Sequence, residues 1–212
     1  MINYIYADSL DAFPVLASSM FADRADQFKA RLNWAVDVDD DGHEKDEYDA
    51  MNPLYIIYTA NDGSHGGSMR VLPTVGQTMV NDHFLDLTGG VRIESPLIWE
   101  CTRFCLSPSL RHNAGEVASS LMLAGVELGL RFGLEHSVGV FDARMVRIYR
   151  RIGWEPDILG TTEHEGEQIS VGLWPINENS KARICERSGI DPRVSETWFD
   201  ASFPEYRDVL VA

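Results

Sequence analysis

Two charged residues lie inside an otherwise apolar segment, and their types suit proton transfer or the binding of an anionic group. Residues 97–106 read LIWECTRFCL between two Ser-Pro pairs, a composition that predicts a buried strand. Glu100 and Arg103 would be dehydrated there, which costs free energy unless each charge is paired or functional. Residues three apart in a regular strand point to opposite faces, so a shared site requires a bulge between them. The open alternative is a single structural salt bridge.

A second set of charged and aromatic residues precedes this strand. Arg24 and Phe28 are four residues apart in a predicted helix, so they share one face. The acidic segment after the helix also contains Trp34 and Tyr48, and loops of this mixed composition often close over ligands. The alternatives are an exposed arginine, a core phenylalanine and a solvated acidic loop.

The acidic segment partly matches a calcium-binding loop. Asp37, Asp39, Asp41 and Gly42 fit the first half of an EF-hand loop. Its twelfth position holds Tyr48, where a calcium loop needs a bidentate glutamate. We therefore expect no bound metal.

Composition and charge exclude several classes of protein. The chain has 212 residues, of which 44% are apolar and 24% charged, as in an ordinary globular domain. A net charge of −15 argues against non-specific binding of nucleic acid. The N-terminus lacks signal-peptide features, no apolar run is long enough for a membrane span, and three cysteines without metal-ligand spacing fit a reducing compartment. We expect a cytoplasmic protein that binds neither nucleic acid nor membranes.

The elements that would position these residues follow from periodicity and turn signals. The pattern predicts strands at 2–6, 54–60, 66–72, 97–106 and 136–141, helices at about 10–31, 112–133 and 142–151, and a last hairpin from 154–160 and 168–174. Asp8-Ser9 would cap the first helix, 33–53 reads as a loop, and the tail from 176 is not assigned. This order predicts an α/β (α+β) fold in a single domain, 1–212, with a mixed, mostly antiparallel central sheet flanked by helices.

The charged and aromatic residues, taken in order, carry a family resemblance. The motifs that carry it are Arg24, Phe28 and Trp34; Glu44-Lys45-Asp46-Glu47-Tyr48-Asp49; Gly67-x-x-Arg70-x-x-Pro73-Thr74; the piece from Met79 to Phe84; and Trp99-Glu100-x-x-Arg103-Phe104. In these motifs the chain resembles the LuxI-type acyl-homoserine-lactone synthases, the autoinducer synthases of bacterial quorum sensing. The match covers about residues 20 to 106 and continues more weakly to Gly153-Trp154.

The resemblance implies a GNAT-like fold and an acyltransferase reaction. An acyl group from a thioester on acyl carrier protein, or on coenzyme A, would pass to the α-amine of S-adenosylmethionine. Lactone closure would then release methylthioadenosine, so S-adenosylmethionine is a consumed substrate and no cofactor or metal is implied. The amine is a cation near neutral pH and needs a base, for which Glu100 is the candidate, directly or through one water.

The resemblance also implies a set of site residues. The catalytic candidates are Glu100, Arg24 and Arg103. The candidates for S-adenosylmethionine binding are Arg24, Phe28, Trp34, Asp46, Asp49, Arg70 and Arg103. The candidates for the acyl pocket are Met79, Phe84, Cys101, Phe104, Gly139, Phe141 and Met145. The densest basic segment, proposed for carrier docking, contains Arg144, Arg147, Arg150 and Arg151. We expect that replacing Glu100 or Arg24 leaves thermal unfolding nearly unchanged, because both are interpreted as site residues.

Two other functions stay open at this point. A GNAT-type N-acyltransferase acting on another amine would carry a glycine-rich phosphate loop, but residues 111–116 read RHNAGE and do not fit one. This also favours carrier protein over coenzyme A as the donor. A catalytically inactive ligand-binding relative would have lost part of the charged set, which is complete here.

Overall fold

The computed structural model describes residues 1–164 and 166–209. The strands are β1 (Ile2–Tyr6), β2 (Leu54–Thr59), β3 (His65–Pro73), β4 (Ile98–Leu106), β5 (His136–Asp142), β6 (Asp157–His164) and β7 (Glu167–Pro175). The α-helices are α1 (Pro14–Arg24), α2 (Met79–Asp82), α3 (Ala114–Phe132), α4 (Ala143–Ile152), α5 (Glu178–Ser188), α6 (Pro192–Ser202) and α7 (Pro204–Val209). Short 3₁₀ helices span Ala7–Ala12, Glu47–Met51, Leu85–Thr88 and Pro108–Asn113, and a π-helix spans Ala25–Arg31.

The seven strands form one mixed sheet in the order β1-β2-β3-β4-β5-β7-β6. β4 pairs with β5 in parallel, whereas β1 with β2, β5 with β7 and β6 with β7 pair antiparallel. The parallel register joins Ile98–Glu100 to His136–Val138, although β4 continues to Leu106 and β5 to Asp142. The predicted mixed sheet flanked by helices is confirmed.

The described chain divides into two compact units, so the predicted single domain stays a prediction. The first unit contains Met1–Arg70, Arg103–Ala124 and the described part of Ser195–Ala212. Its core packs α1 against β1 and β2 through buried residues such as Leu16, Met20 and Ile57. The second unit contains Val71–Thr102 and Gly125–Val194, and Val80, Leu87, Val138 and Val171 form its buried cluster.

The ends of the predicted strands agree with the structure to within one residue, except that β6 begins three residues later and ends four residues later than predicted. The predicted first helix is wrong. Instead of one helix from 10 to 31 there are a 3₁₀ helix, α1 and a π-helix in succession. Pro14 causes the break, because its ring has no N–H to donate and suits the first helical position, where it lies in α1. The unassigned tail forms α5, α6 and α7. No described helix is long and apolar enough to cross a membrane.

Candidate active site

The C-terminal end of α1 places an arginine inside the first unit. Arg24 is 1% exposed, and its Nε donates to Glu44 Oε2 at 2.6 Å. Its Nη1 and Nη2 donate to the two oxygens of Asp49, both at 2.9 Å. Such a two-bond pair fixes the plane of the guanidinium as well as its position. The backbone then continues as a π-helix, a geometry that occurs frequently at functional sites.

A second arginine reaches the same carboxylates from β3. Arg70 Nη1 and Nη2 bond the two oxygens of Asp46, at 2.5 and 2.9 Å. Nη1 also lies 2.9 Å from Asp49 Oδ1. Asp49 therefore joins Arg24 to Arg70.

The third arginine stands where β4 departs from regular strand geometry. Arg103 has φ of 52°, in the left-handed region that costs a non-glycine residue about 1–3 kcal/mol. Its Nη2 lies 2.9 Å from Glu44 Oε1 and 2.8 Å from Asp46 Oδ2. The sequence predicts an irregularity between Glu100 and Arg103, and the backbone has one at Arg103 itself.

The resulting cluster contains three arginines and three carboxylates, so its formal charge is 3 − 3 = 0. Burial opposes the ionisation of Asp49, but hydrogen bonds and the charges of Arg24 and Arg70 lower the pKa of Asp49 far below its ordinary value. Burial also acts against the charge of Arg24, yet Asp49 and Glu44 raise the pKa of this guanidinium. All six groups are paired, as buried charges must be. We call this set the arginine–carboxylate cluster.

The Glu-x-Asp-x-Tyr-Asp motif builds the acidic half of the cluster through its local structure. Asp46 is the N-cap of the 3₁₀ helix Glu47–Met51 and accepts from the backbone N–H of Tyr48 and Asp49. In return, Asp49 Oδ2 accepts from the N–H of Asp46 at 2.9 Å, which completes a capping box. The same two carboxylates thus shape the turn and bind the arginines.

Aromatic rings cover one side of the cluster. Phe28 and Trp34 stack with ring centroids 5.1 Å apart and planes 15° from parallel. The Arg103 guanidinium lies 5.4 Å from the Phe28 centroid, and the Arg70 guanidinium lies 5.4 Å from the Tyr48 centroid. Phe28 is buried whereas Trp34 is 37% exposed, so the stack leads from the cluster toward solvent.

Glu100, in the second unit, has a different environment. It is 1% exposed, and its two oxygens accept from the backbone N–H of Met79 at 2.9 Å and of Val80 at 2.6 Å. These are the first two residues of α2, whose N-cap Thr78 accepts no capping hydrogen bond from the helix backbone through its side chain, so Glu100 supplies that cap. The expectation that replacing Glu100 or Arg24 leaves thermal unfolding nearly unchanged stays a prediction, but both side chains bond buried partners, which argues against it.

The structure places the predicted acyl-pocket residues in three kinds of surroundings. A Cβ atom on Gly139 would lie 2.8 Å from the carbonyl oxygen of Cys101 and 3.6 Å from the Trp174 ring. Phe141 meets the same Trp174 ring at a centroid distance of 5.4 Å, so Cys101, Gly139 and Phe141 lie together. Phe84 packs against the buried cluster of the second unit. Met79, Phe104 and Met145 are half-buried, and their part in a pocket stays a prediction.

The four arginines predicted for carrier docking are all exposed on α4. Arg144 binds Asp142 and Glu167, at 3.2 and 2.5 Å. Arg150 lies 3.5 Å from Glu155. In the described part of the chain, Arg147 and Arg151 form no ion pair, so two cations of this face are available to a partner.

One member of the cluster and one residue that contacts it were not predicted as site residues from the sequence. Glu44 is 0% exposed and binds both Arg24 and Arg103. The Tyr55 hydroxyl donates to Asp49 Oδ1 at 2.5 Å. The sequence does indicate Glu44, because it is the first residue of the Glu-x-Asp-x-Tyr-Asp motif. Nothing in the sequence indicates Tyr55 as a site residue, because it lies inside an apolar strand.

The acidic segment that partly matches a calcium loop forms a turn held by its own groups. Ligand atoms of Asp39, Asp41 and His43 lie within 4.8 Å of one another, and both aspartates are exposed. Asp39 Oδ1 accepts from the N–H of Asp41 and of His43, at 3.1 and 2.9 Å. These bonds account for the turn.

The chain matches known proteins in sequence over most of its length. The family described as autoinducer synthase matches residues 14–184. An acyl-homoserine-lactone synthase of Rhizobium etli is 39% identical over 190 residues, covering 85% of this chain and 86% of that protein. One of Agrobacterium fabrum is 31% identical over 186 residues, covering 84% and 87%.

The fold has solved counterparts. The CoA-dependent acyl-homoserine lactone synthase BjaI, solved with SAM and isopentyl-CoA, has a TM-score of 0.80 at 23% identity, covering 90% of each chain. An acyl-CoA N-acyltransferase from Pseudomonas aeruginosa has a TM-score of 0.55 at 12% identity, covering 82% of this chain and 97% of that one. The GNAT-like fold is thus confirmed. Given the sequence match over residues 14–184, the chain belongs to the autoinducer synthase family.

Proposed function

We propose that this chain is an acyl-homoserine-lactone synthase. It transfers an acyl group from a thioester to the α-amine of S-adenosylmethionine, after which the methionine carboxylate closes on the γ-carbon and methylthioadenosine leaves. The observation that carries the proposal is the arginine–carboxylate cluster with its aromatic cover. Family membership supports the same reaction.

The cluster suits S-adenosylmethionine because that substrate carries charges of both signs. Its carboxylate would bind to guanidinium groups of Arg24, Arg70 and Arg103, and its ammonium and sulfonium groups would face Asp46 and Asp49. A site that contains both arginines and carboxylates offers an oppositely charged partner to each of these three groups.

The stacked rings suit the adenosyl end of the same substrate. Trp34 extends the stack to the surface and offers a flat face for a purine or a cation, and Phe28, which contacts both Arg103 and Trp34, would hold that face in place. We assign them to binding rather than to proton transfer.

Glu100 is the proposed general base. A carboxylate that accepts two charge-assisted hydrogen bonds is held in one orientation. It would take a proton from the substrate ammonium, directly or through one water, and free the amine lone pair to attack the thioester carbonyl. Arg24 and Arg103 would hold the amino-acid end of the substrate for that attack.

The acyl chain would lie between β4 and β5. The two strands pair only as far as Glu100 and Val138 in the described register, although both continue. Cys101 and Gly139, where the two strands are still in contact, would form the closed end of the path, and Phe141 would line it, with Met79, Phe84, Phe104 and Met145 as further wall candidates. The donor would be an acyl carrier protein or an acyl-coenzyme A, and α4 would receive an acidic carrier.

The direct test offers the purified protein hexanoyl and decanoyl thioesters on coenzyme A and on acyl carrier protein, with and without S-adenosylmethionine. We expect thiol release that requires S-adenosylmethionine, with lactone and methylthioadenosine in equal amounts by mass spectrometry. The preferred thioester identifies the donor. Thiol release that proceeds with another amine and ignores S-adenosylmethionine would instead establish a different N-acyltransferase.

A further inference from the structure

A buried hydrogen-bond chain outside the proposed site joins α1 to β3. His65 Nδ1 lies 2.7 Å from Asp23 Oδ2, and His65 Nε2 lies 2.9 Å from Ser68 Oγ. The backbone N–H of His65 also donates to Ser19 Oγ at 2.9 Å. One histidine thus makes three contacts, two of them to α1.

The Asp–His–Ser order is that of a hydrolytic triad, but burial excludes a nucleophile here. Ser68 is 2% exposed and His65 1% exposed, so a substrate carbonyl has no access to the hydroxyl. The Asp23–His65–Ser68 hydrogen-bond chain must therefore act on the protein's own structure. Asp23, 21% exposed, is the member closest to solvent.

This hydrogen-bond chain ends at residues adjacent to the arginine–carboxylate cluster. Asp23 directly precedes Arg24, and His65 lies on β3, the strand that carries Arg70. The carbonyl oxygen of Asp23 also accepts from Cys105 Sγ at 3.5 Å, and Cys105 lies on β4 two residues after Arg103. Asp23 is thus tied to both strands that supply the other two arginines of the cluster.

The backbone at this point needs such an anchor. α1 gives way to the π-helix immediately after Arg24, and π-helical turns are rare and carry little intrinsic stability. A side-chain tether one residue before Arg24 fixes where the regular helix ends. It therefore fixes the direction in which the Arg24 side chain leaves the backbone.

Burial and the surrounding charges set the protonation state of the histidine. Burial lowers the pKa of His65; Asp23 acts to raise it and Arg24 to lower it. On β4, the Cys105 thiol faces Asp23, and burial raises the pKa of that thiol to about 12, so it stays neutral. Neutral His65 then donates from Nδ1 to Asp23 and accepts at Nε2 from the Ser68 hydroxyl.

We propose that His65 is a positioning residue for S-adenosylmethionine binding, acting through Asp23 on Arg24. The inference rests on the proposed function, because the cluster is assigned there to S-adenosylmethionine. His65 touches no substrate. Its effect falls on the affinity for S-adenosylmethionine, because the arginines bind that substrate and not the acyl donor.

The test compares His65→Leu, which removes both ring hydrogen bonds, with His65→Asn, whose amide can still donate to Asp23. Calorimetry measures the Kd of S-adenosylmethionine without an acyl donor, and steady-state assays give KM for each substrate. We expect His65→Leu to weaken S-adenosylmethionine binding about tenfold, as misplaced binding groups do, and to change the donor KM less than twofold. His65→Asn should recover most of the affinity. Exposed His112→Leu is the matched control and should bind normally.

Folding is checked by urea unfolding, and Ser68→Ala provides a milder variant that removes one bond if His65→Leu does not fold. Normal S-adenosylmethionine affinity in folded His65→Leu, or equal losses for both substrates, would overturn the inference. It would also fail if His65→Asn gave no rescue. A wild-type protein that binds no S-adenosylmethionine at all would instead refute the proposed function.

Discussion

Glu100 combines a structural contact with the proposed chemistry. Its two oxygens cap α2, so a change of one atom has two consequences. In Glu100→Gln the amide nitrogen faces a backbone N–H as donor against donor, and one hydrogen bond is lost. We expect lactone synthesis to fall about 10²–10⁴-fold for want of a base, and the free energy of unfolding to fall by about 1–3 kcal/mol. Thiol-release kinetics and urea titration measure the two effects.

Glu186→Gln, at an exposed position of α5, controls for the chemical change alone and should leave both quantities unaltered. A stable but inactive Glu100→Gln would mean that the capping bonds contribute little. An active one would remove Glu100 from the mechanism.

Two substitutions of Arg24 separate the effect of its positive charge from the effect of its fork geometry, the paired hydrogen bonds of the guanidinium. Arg24→Lys keeps a cation but loses the paired bonds to Asp49, so we expect it to fold and to bind S-adenosylmethionine about tenfold or more weakly. Arg24→Ala leaves buried Glu44 and Asp49 short of a partner and should lower the free energy of unfolding by about 3–5 kcal/mol. Calorimetric binding and urea titration separate the two variants.

Exposed Arg92→Ala is the matched control, since its nearest carboxylate, Glu94, lies 3.9 Å away on the surface. Equal binding by wild type and Arg24→Lys would show that the fork geometry does not matter to the substrate.

The sequence predicted most of the charged site, and its failures at residue scale have physical causes. Glu44 was named as the first residue of its motif but not as a site residue, because a single acidic residue in an acidic segment has no local mark of burial. The left-handed backbone of Arg103 was predictable only as an irregularity somewhere between two charges. Its position depends on the carboxylates that Arg103 meets from another part of the chain.

At the scale of helices and strands, the predictions are correct where the local sequence alone determines the structure. The hairpins and the long apolar α3 were predicted because turn chemistry and periodicity determine them. The first helix was predicted too long, since apolar spacing continues through Pro14 and through the π-helix. The change from α to π geometry has no counterpart in side-chain spacing, and the tether at Asp23 that accompanies it is tertiary.

The basic face of α4 carries a prediction about the acyl donor. Arg147 and Arg150 are exposed, and reversing both to Glu should raise the KM for an acyl carrier protein donor severalfold while the KM for S-adenosylmethionine stays constant. The effect should shrink with salt, because the Debye length falls to about 3 Å near 1 M. Steady-state kinetics at low and high ionic strength measure it.

The control changes net charge equally at other exposed sites, with Arg92 and Arg193 both replaced by Glu. If both double variants raise the donor KM alike, overall repulsion is responsible and α4 is not the docking face. An unchanged donor KM at low salt would move docking elsewhere, for example to Arg111 or Arg183.

At the scale of the whole molecule, the sequence predicted the mixed sheet and the charge balance but not the internal division. The order of strands and helices determines a GNAT-like topology, because sequential elements usually lie side by side. The division into two compact units depends on contacts between distant segments, such as Met1–Arg70 with Arg103–Ala124, which no local pattern encodes.

The buried ionisable groups give the molecule a defined response to acid. The pKa of His65 is lowered below its ordinary value of 6.5 by burial, so below that pH the unfolded chain binds a proton that the folded chain resists. The pKa of Asp49 is lowered below 3.8, since the charges and hydrogen bonds of its arginines outweigh burial; its stabilisation is full above pH 3.8 and is lost at lower pH. Both groups make stability fall as pH falls, in two successive ranges.

We therefore expect the free energy of unfolding, measured by urea titration between pH 8 and pH 4, to begin falling below about pH 6.5. His65→Asn cannot titrate, so its unfolding free energy should stay flatter from pH 6.5 down to about pH 5 and fall only as the carboxylates protonate. His112→Asn replaces an exposed histidine and should follow the wild-type curve. Parallel curves for wild type and His65→Asn would mean that His65 takes up its proton equally in both states, and that the Asp23–His65–Ser68 chain persists when the ring is charged.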